Sequence, residues 1–202
     1  MIDIVPPGPT DGPTVEALLD RAFGPERLAK TSYRYRIGPP VPGLQRIARE
    51  DGRLVGSISF WRIRTSATPE RRIVLLGPLA VEPGLGGRGI GSALVEEGLA
   101  RAADAGHEAA FLVGDEPYYA RFGFSADAAR SVRMPDENPA RVLGRALMPG
   151  GLEGVAGVLL PVYERVSETS REEGNDRGHA AAIDENVIDE TVETGTRRGI
   201  GR

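Results

Sequence analysis

The chain has 202 residues, 40% hydrophobic and 27% charged, a balance that fits one globular domain of roughly 100–200 residues and excludes a wholly disordered chain. Cysteine is absent, which excludes a disulfide framework, a thiolate metal centre and a cysteine nucleophile. The only histidines, His107 and His179, stand far apart in unsuggestive settings, so no metal is expected.

The net charge of −4 is localised: residues 167–202 hold nine acids and five arginines, which leaves 20 acids and 20 bases in residues 1–166. Two parts are therefore expected, a folded domain over 1–166 and an acidic tail over 167–202. The tail lacks aromatic residues and is expected to be disordered. The neutral domain offers no electrostatic basis for binding duplex nucleic acid or an anionic membrane. No segment approaches the roughly 18 consecutive apolar residues of a membrane helix. The N-terminal MIDIVPPGPTDGP has neither a basic region nor an apolar run, so no secretory signal is expected and the expected location is cytoplasmic.

In chain order, Ile2 and Ile4 open a short edge strand that Pro6 and Pro7 end. Asp11-Gly12-Pro13 is a helix-start signal. Val15, Leu18, Leu19, Ala22 and Phe23 then recur at helical spacing up to Gly24. Residues 25–43 are mixed, with loop signals at Gly38-Pro39-Pro40 and Pro42-Gly43. Leu44–Glu50 and Arg53–Arg64 read as two strands joined by Asp51-Gly52, a strong hairpin signal. Arg72–Val81 is apolar almost throughout and reads as a central strand. Pro78 sits inside it and lacks a ladder donor, so a bulge or a separation from one neighbour is expected there.

A glycine-rich turn, Gly84-Leu85-Gly86-Gly87-Arg88-Gly89-Ile90-Gly91, follows that strand. Leu94, Val95, Leu99, Ala102 and Ala103 then form one helical face, with Gly106 as the C-cap signal. His107 follows the cap and is expected to be exposed. Ala109–Gly114 reads as a buried strand and Pro117–Phe122 as one or two helical turns. Weaker strand signals lie at Ser131–Met134, Val142–Leu147 and Val155–Val162.

The strand, glycine turn and helix carry the main chemical signal. Glycines let backbone N–H groups approach a ligand, and a helix N-terminus adds exposed donors and a partial positive charge. A pyrophosphate is the expected guest, and Arg88 is a candidate for a direct phosphate contact. The alternative is a turn that merely links strand to helix. Four glycines within residues 86–91 are costly unless backbone approach is needed. Gly84-x-Gly86-x-x-Gly89 also matches the dinucleotide fingerprint formally, but it follows an antiparallel-looking run and lacks the acidic residue at a following strand end.

Residues 72–125 resemble the GNAT superfamily of N-acetyltransferases more closely. Three features carry the likeness in the family's order: an apolar strand ending in Leu79-Ala80-Val81, the loop Gly86-Gly87-Arg88-Gly89-Ile90-Gly91, and Tyr119-Ala120-Arg121-Phe122-Gly123-Phe124. The loop is similar to the family's Gln/Arg-x-x-Gly-x-Gly/Ala, and the third segment to its Tyr-x-x-x-Gly-Phe. Gly86 departs from the pattern, standing where Gln or Arg is usual.

The resemblance implies an α+β fold: a mixed, mostly antiparallel central sheet, flanked by helices on both faces and splayed between two central strands. It implies acetyl-CoA as acetyl donor, its pantetheine arm along the backbone of Leu79, Ala80 and Val81. The pyrophosphate would lie on the loop from Gly86, Gly87, Arg88, Gly89, Ile90 and Gly91 to Ser92. The implied activity is direct transfer of acetyl to a primary amine of a small molecule or a protein. Tyr119 matches the family's general acid, with Tyr118 as the alternate. Packing beside Phe122 and Phe124 is the other role open to Tyr119. Glu82 and Asp115 are candidate bases or simply solvated loop charges, Arg121 reads as a surface or salt-bridge residue, and Trp61 lines an acceptor pocket or packs in the core. A non-catalytic acyl-CoA-binding or sensing module is the alternative function. A dinucleotide-dependent enzyme is the third.

Overall fold

The computed structural model describes residues 1–163. The acidic tail expected over 167–202 lies outside the described residues. Strand β1 (Ile2–Val5) precedes helix α1 (Gly12–Phe23), two 3-10 turns (Pro25–Ala29 and Thr31–Tyr35), and strands β2 (Arg46–Glu50), β3 (Arg53–Thr65) and β4 (Ile73–Val81). Helix α2 (Ile90–Asp104) crosses to β5 (Ala109–Val113). The short helix α3 (Glu116–Tyr119) and strands β6 (Val132–Arg133), β7 (Val142–Ala146) and β8 (Gly157–Pro161) follow.

The strands form one eight-stranded sheet in the order β1-β2-β3-β4-β5-β7, with β8 on the far half of β3 and β6 beside β8. The pairs β4–β5 and β6–β8 are parallel and the other strand pairs antiparallel, so the sheet is mixed and mostly antiparallel, as expected. The hairpin signal is realised at Asp51 and Gly52, both with positive φ (50° and 79°). That is the backbone a tight two-residue turn requires, and Asp and Gly tolerate it.

Successive strand residues face opposite sides of a sheet, and the two faces are covered by different helices. Ile47 and Leu54 pack with Val15, Leu18 and Leu19 of α1. Ala48, Ile58, Phe60 and Val74 pack with Leu94, Val95 and Leu99 of α2. Helix α1 ends where Gly24 adopts φ 77° and its N–H donates to the Asp20 carbonyl at 2.9 Å. Arg27 then ties the following turns to α1. Its side chain is 4% exposed and is met by Asp20 at 2.8 Å, Glu16 at 2.6 Å and the Tyr33 hydroxyl at 3.0 Å.

Both consequences expected of Pro78 occur. Leu76 pairs with Phe60 and Leu79 with Ile58, so Gly77 and Pro78 stand opposite Ser59 alone, in a bulge. Gly77 has φ 126°, a conformation open to glycine, and the Gly77–Pro78 bond is cis. On its other side β4 pairs with β5 only from Ile73 to Leu75, opposite Ala109 to Phe111. From Leu76 the two strands part, while β5 stays paired with β7 through Val113. The sheet is therefore splayed between its two central parallel strands.

His107 is a correction to the sequence reading. It is 5% exposed, its Nδ1 is buried without a hydrogen-bond partner, and its backbone N–H continues the end of α2 by donating to the Ala102 carbonyl. The cap at Gly106 leads the chain from α2 into β5 rather than out to water. No helix among the described residues is long and apolar enough to cross a membrane.

Candidate functional site

The splay opens into a cavity of about 650 Å³ whose wall includes Leu76 to Leu79 and Val81 of β4, Val113 and Gly114 after β5, and Tyr118 and Tyr119. The edge of β4 beyond Leu75 that faces it has no strand partner. Leu79 and Val81 face the cavity. The Ala80 side chain, 2% exposed, packs toward α1, and Ala80 is not part of the cavity wall.

The glycine loop leads from the end of β4 to the N-terminus of α2. Gly84, Gly87 and Gly89 have positive φ, and open space surrounds Gly84, Gly86, Gly87 and Gly89. Gly89 is the N-cap of α2, and its carbonyl accepts the Ala93 N–H at 3.0 Å. The amides of Ile90, Gly91 and Ser92 thus precede the first intrahelical bond. No side chain caps them, and the first turn carries no acid. Gly91 is the one residue of this loop on the cavity wall, where a Cβ would lie 2.9 Å from the Tyr118 hydroxyl and 3.6 Å from Val81 Cγ2. An uncapped helix N-terminus and an unpaired strand edge therefore meet at one cavity.

Other candidate residues are placed differently. The Arg88 guanidinium is held by both carboxylate oxygens of Glu50 at the end of β2, which competes with the phosphate contact expected of it. Glu82 receives two hydrogen bonds from Arg21, at 3.0 and 2.8 Å, with Arg53 at 3.8 Å. The Arg21 hydrogen bond holds its carboxyl below the usual carboxylate range, which makes it a weak base. Asp115 is 81% exposed and 3.6 Å from Arg141. Arg121 donates to the Tyr118 carbonyl at 3.0 Å and lies over its ring. Trp61 packs with the cluster containing Tyr35, Ile63 and Phe111, its indole N–H buried without a partner, and is not part of the cavity wall.

The tyrosine pair forms the end of α3 and lines the cavity. The rings of Tyr118 and Tyr119 meet edge to face at 4.9 Å, and Phe122 and Phe124 lie 6.4 and 6.1 Å from Tyr119. Tyr119 thus both packs against this aromatic group and reaches the cavity wall. Gly114 makes room for it: a Cβ there would fall 2.4 Å from Tyr119 Cε2. Burial first, then Tyr118 and Asp115, push the Tyr119 hydroxyl up to about 12, so it stays neutral across the physiological range.

Sequence reasoning passed over the segment between α1 and β2. Arg27, Tyr33 and Arg36 all line the cavity. The alternation Tyr33-Arg34-Tyr35-Arg36 was the available signal: Tyr35 is buried with the core, and Tyr33 and Arg36 turn to the cavity. No cluster of three or more His, Cys, Asp or Glu among the described residues is arranged to hold a metal ion.

A mixed sheet that splays at a bulged strand, with an uncapped helix N-terminus at the opening, has the architecture of the acetyltransferase class. The model of the acetyltransferase (GNAT) family matches residues 13–124, and the chain belongs to that family. The uncharacterized N-acetyltransferase YhbS of Escherichia coli K12 is 32% identical over 155 residues, 75% of this chain and 90% of YhbS. The crystal structure of E. coli YhbS in complex with CoA superposes with a TM-score of 0.67 at 28% identity, covering 79% of this chain and 87% of that one. A GNAT-family acetyltransferase from Brucella melitensis in complex with acetyl-CoA gives 0.55 at 27% identity, covering 74% and 90%.

Proposed function

We propose that the chain is an acetyl-CoA-dependent N-acetyltransferase that acts on a primary amine. The observation that carries this reading is the convergence, at one cavity, of the unpaired β4 edge and the uncapped amides of α2. The two features suit the two halves of the donor. A pantetheine arm carries amide groups that can extend the ladder along the backbone of Leu79, Ala80 and Val81. A pyrophosphate suits the loop from Gly86 to Ser92, whose backbone donors need no side chain at position 86. Similarity to proteins solved with CoA and acetyl-CoA supports the same donor.

Acetyl-CoA, as donor substrate, supplies a thioester. The neutral amine attacks its carbonyl carbon, the C–N bond forms, the C–S bond breaks, the amine gives up a proton and the departing thiolate takes one. A backbone N–H on the open β4 edge near Val81 stabilises the oxyanion. Tyr119 holds the proton for the thiolate at its hydroxyl, and its raised pKa keeps that proton in place until the leaving group develops charge. Solvent then reprotonates it. With Glu82 committed to Arg21 and Asp115 largely exposed, the amine's proton leaves through water.

One observation favours Tyr118 as donor instead: its hydroxyl stands beside Gly91, at the N-terminus of α2. Phenylalanine variants separate the two. The acid's loss lowers kcat by about 100-fold or more and leaves acetyl-CoA affinity unchanged, whereas the other variant stays near the parent rate. Equal rates in both variants would remove a tyrosine acid. Calorimetric titration of the full chain with acetyl-CoA, CoA and NAD tests the donor itself. One-to-one binding of the CoA species without NAD is expected. Acetyl-CoA binding without turnover over a broad amine panel would leave the acyl-CoA-binding module, and preferential binding of NAD would overturn the reading.

A further inference from the structure

Arg36 lines the same cavity, just after the second 3-10 turn. A Cβ on Gly77 would lie 3.4 Å from its Nη2, which places the guanidinium beside the β4 bulge, where the sheet opens. Its Cζ stacks 3.7 Å from the centroid of the Tyr33 ring. Its Nε and Nη1 are buried and have no hydrogen-bond partner.

The acids around it are engaged, all but Glu137 with another cation; Glu137, also on the cavity wall, accepts the Asn138 N–H at 3.1 Å. Glu16 and Asp20 pair with Arg27, Asp136 pairs with Arg34, and Asp115 lies against Arg141. The other cations on the wall are settled as well. Arg27 has three partners, and the exposed Lys30 rests over the Phe23 ring at 5.1 Å. Arg36 is thus a half-buried cation that no acid among the described residues neutralises. A guanidinium cannot shed its proton to escape burial. Leaving such a charge without a partner is costly, because the desolvation it suffers is repaid only by an opposite charge or by hydrogen bonds. Burial accordingly pushes its pKa down, against the weaker pull of Tyr33 and Glu16.

We propose that Arg36 recognises a carboxylate on the acceptor, so that the substrate class is an amine that also carries a carboxylate. This rests on the acetyltransferase reading above. Tyr33 fixes the plane of the guanidinium by stacking against its face. An oxyanion set against either edge takes at least one of the unpartnered nitrogens, in the planar geometry that arginine and carboxylate share. A single guanidinium answers one negative charge, which suits a carboxylate better than a doubly charged phosphate. The position beside Gly77 puts that anchor next to the opened strand edge, so the amine at the other end of a short acceptor is directed toward the donor's acyl group.

The test follows CoA release from acetyl-CoA by the full chain with matched amines: the amino acids, an ω-amino acid series from β-alanine to 6-aminohexanoate, aminobenzoates, the carboxamide of each, and phosphoethanolamine. At least one carboxylate is expected to exceed its carboxamide by about tenfold or more in kcat/KM, mainly through KM, and to exceed phosphoethanolamine. Arg36→Gln should bring the acid-to-amide ratio to near one while acetyl-CoA affinity, measured by calorimetry, holds within about threefold; Arg36→Lys should keep part of the preference. Carboxamides or phosphoethanolamine preferred throughout, no turnover of any carboxylated amine, or loss of acetyl-CoA affinity in Arg36→Gln would each overturn the proposal. In those cases acetyl-CoA binding by the unaltered chain, with turnover of any amine of the panel, leaves the acetyltransferase reading standing, and binding without turnover leaves the acyl-CoA-binding module. Absence of that binding removes both. The acid-to-amide ratio of the unaltered chain needs no variant to fold.

Discussion

Gly91→Ala separates the cofactor role of the α2 N-terminus from its role in the fold. The added methyl would lie 2.9 Å from the Tyr118 hydroxyl and 3.6 Å from Val81 Cγ2. The first contact is too short to persist, but its partner is the tip of a half-buried side chain that can rotate away. Alanine in place of helical glycine contributes up to about 1 kcal/mol, so the cost of moving Tyr118 is largely offset. Stability measured by urea denaturation should stay within about 1 kcal/mol of the parent. Acetyl-CoA binding should respond very differently. The methyl stands among the free amides of Ile90, Gly91 and Ser92 at the cavity wall. Loss of one hydrogen bond to a charged group costs about 1.5–3 kcal/mol, or about 10- to 150-fold in Kd. Calorimetric titration of both proteins measures it. An affinity within twofold of the parent, in a variant of unchanged stability, would refute the assignment of these amides to the pyrophosphate.

Three further outcomes are expected. Gly98→Ala would place a Cβ 2.6 Å from Cε2 of the fully buried Phe60; overpacking of about 1–3 kcal/mol less a helix gain of about 1 kcal/mol predicts a net loss of up to about 2 kcal/mol, read from urea melts, with Phe60→Leu in the same chain making the loss smaller than the sum of the single changes. Burial, then Arg72 and Arg62, hold the His107 pKa below its usual value, so the unfolded chain binds its proton first. Its contribution is full above about pH 6.5 and is lost as the pH falls below that; His107→Gln should flatten the decline in melting temperature between pH 7 and 5, and an unchanged decline would count against it. Glu82→Gln should leave kcat within about threefold of the parent, since the carboxylate is committed to Arg21 and is no ready base; a loss of about 100-fold would assign it the proton.

Much of this site was legible in short stretches of sequence. Pro78 announced the interruption of β4 because a missing N–H is a property of the residue itself, and both the bulge and the parting from β5 occur there. The glycines after Val81 announced a backbone-lined helix start, and Gly89 indeed caps α2 in the left-handed conformation. The spacing of Val15, Leu18 and Leu19 was enough to define the buried face of α1. Arg88 was less legible: its charge suggested a phosphate, but Glu50, 38 residues earlier, lies against it once β2 is in place.

Residue type and periodicity alone determined the main strands and helices, the break in the central strand and the glycine-rich start of α2, because backbone sterics and alternation act over a few residues. Only the tertiary structure decided which side chains would be left without partners. His107 is buried where the chain passes from α2 into β5, and Arg36 comes to rest beside Gly77 while Glu16, Asp20 and Asp136 pair with other arginines. Charge pairing and burial depend on contacts between residues distant in sequence, and no local pattern encodes which of several arginines will find its carboxylate.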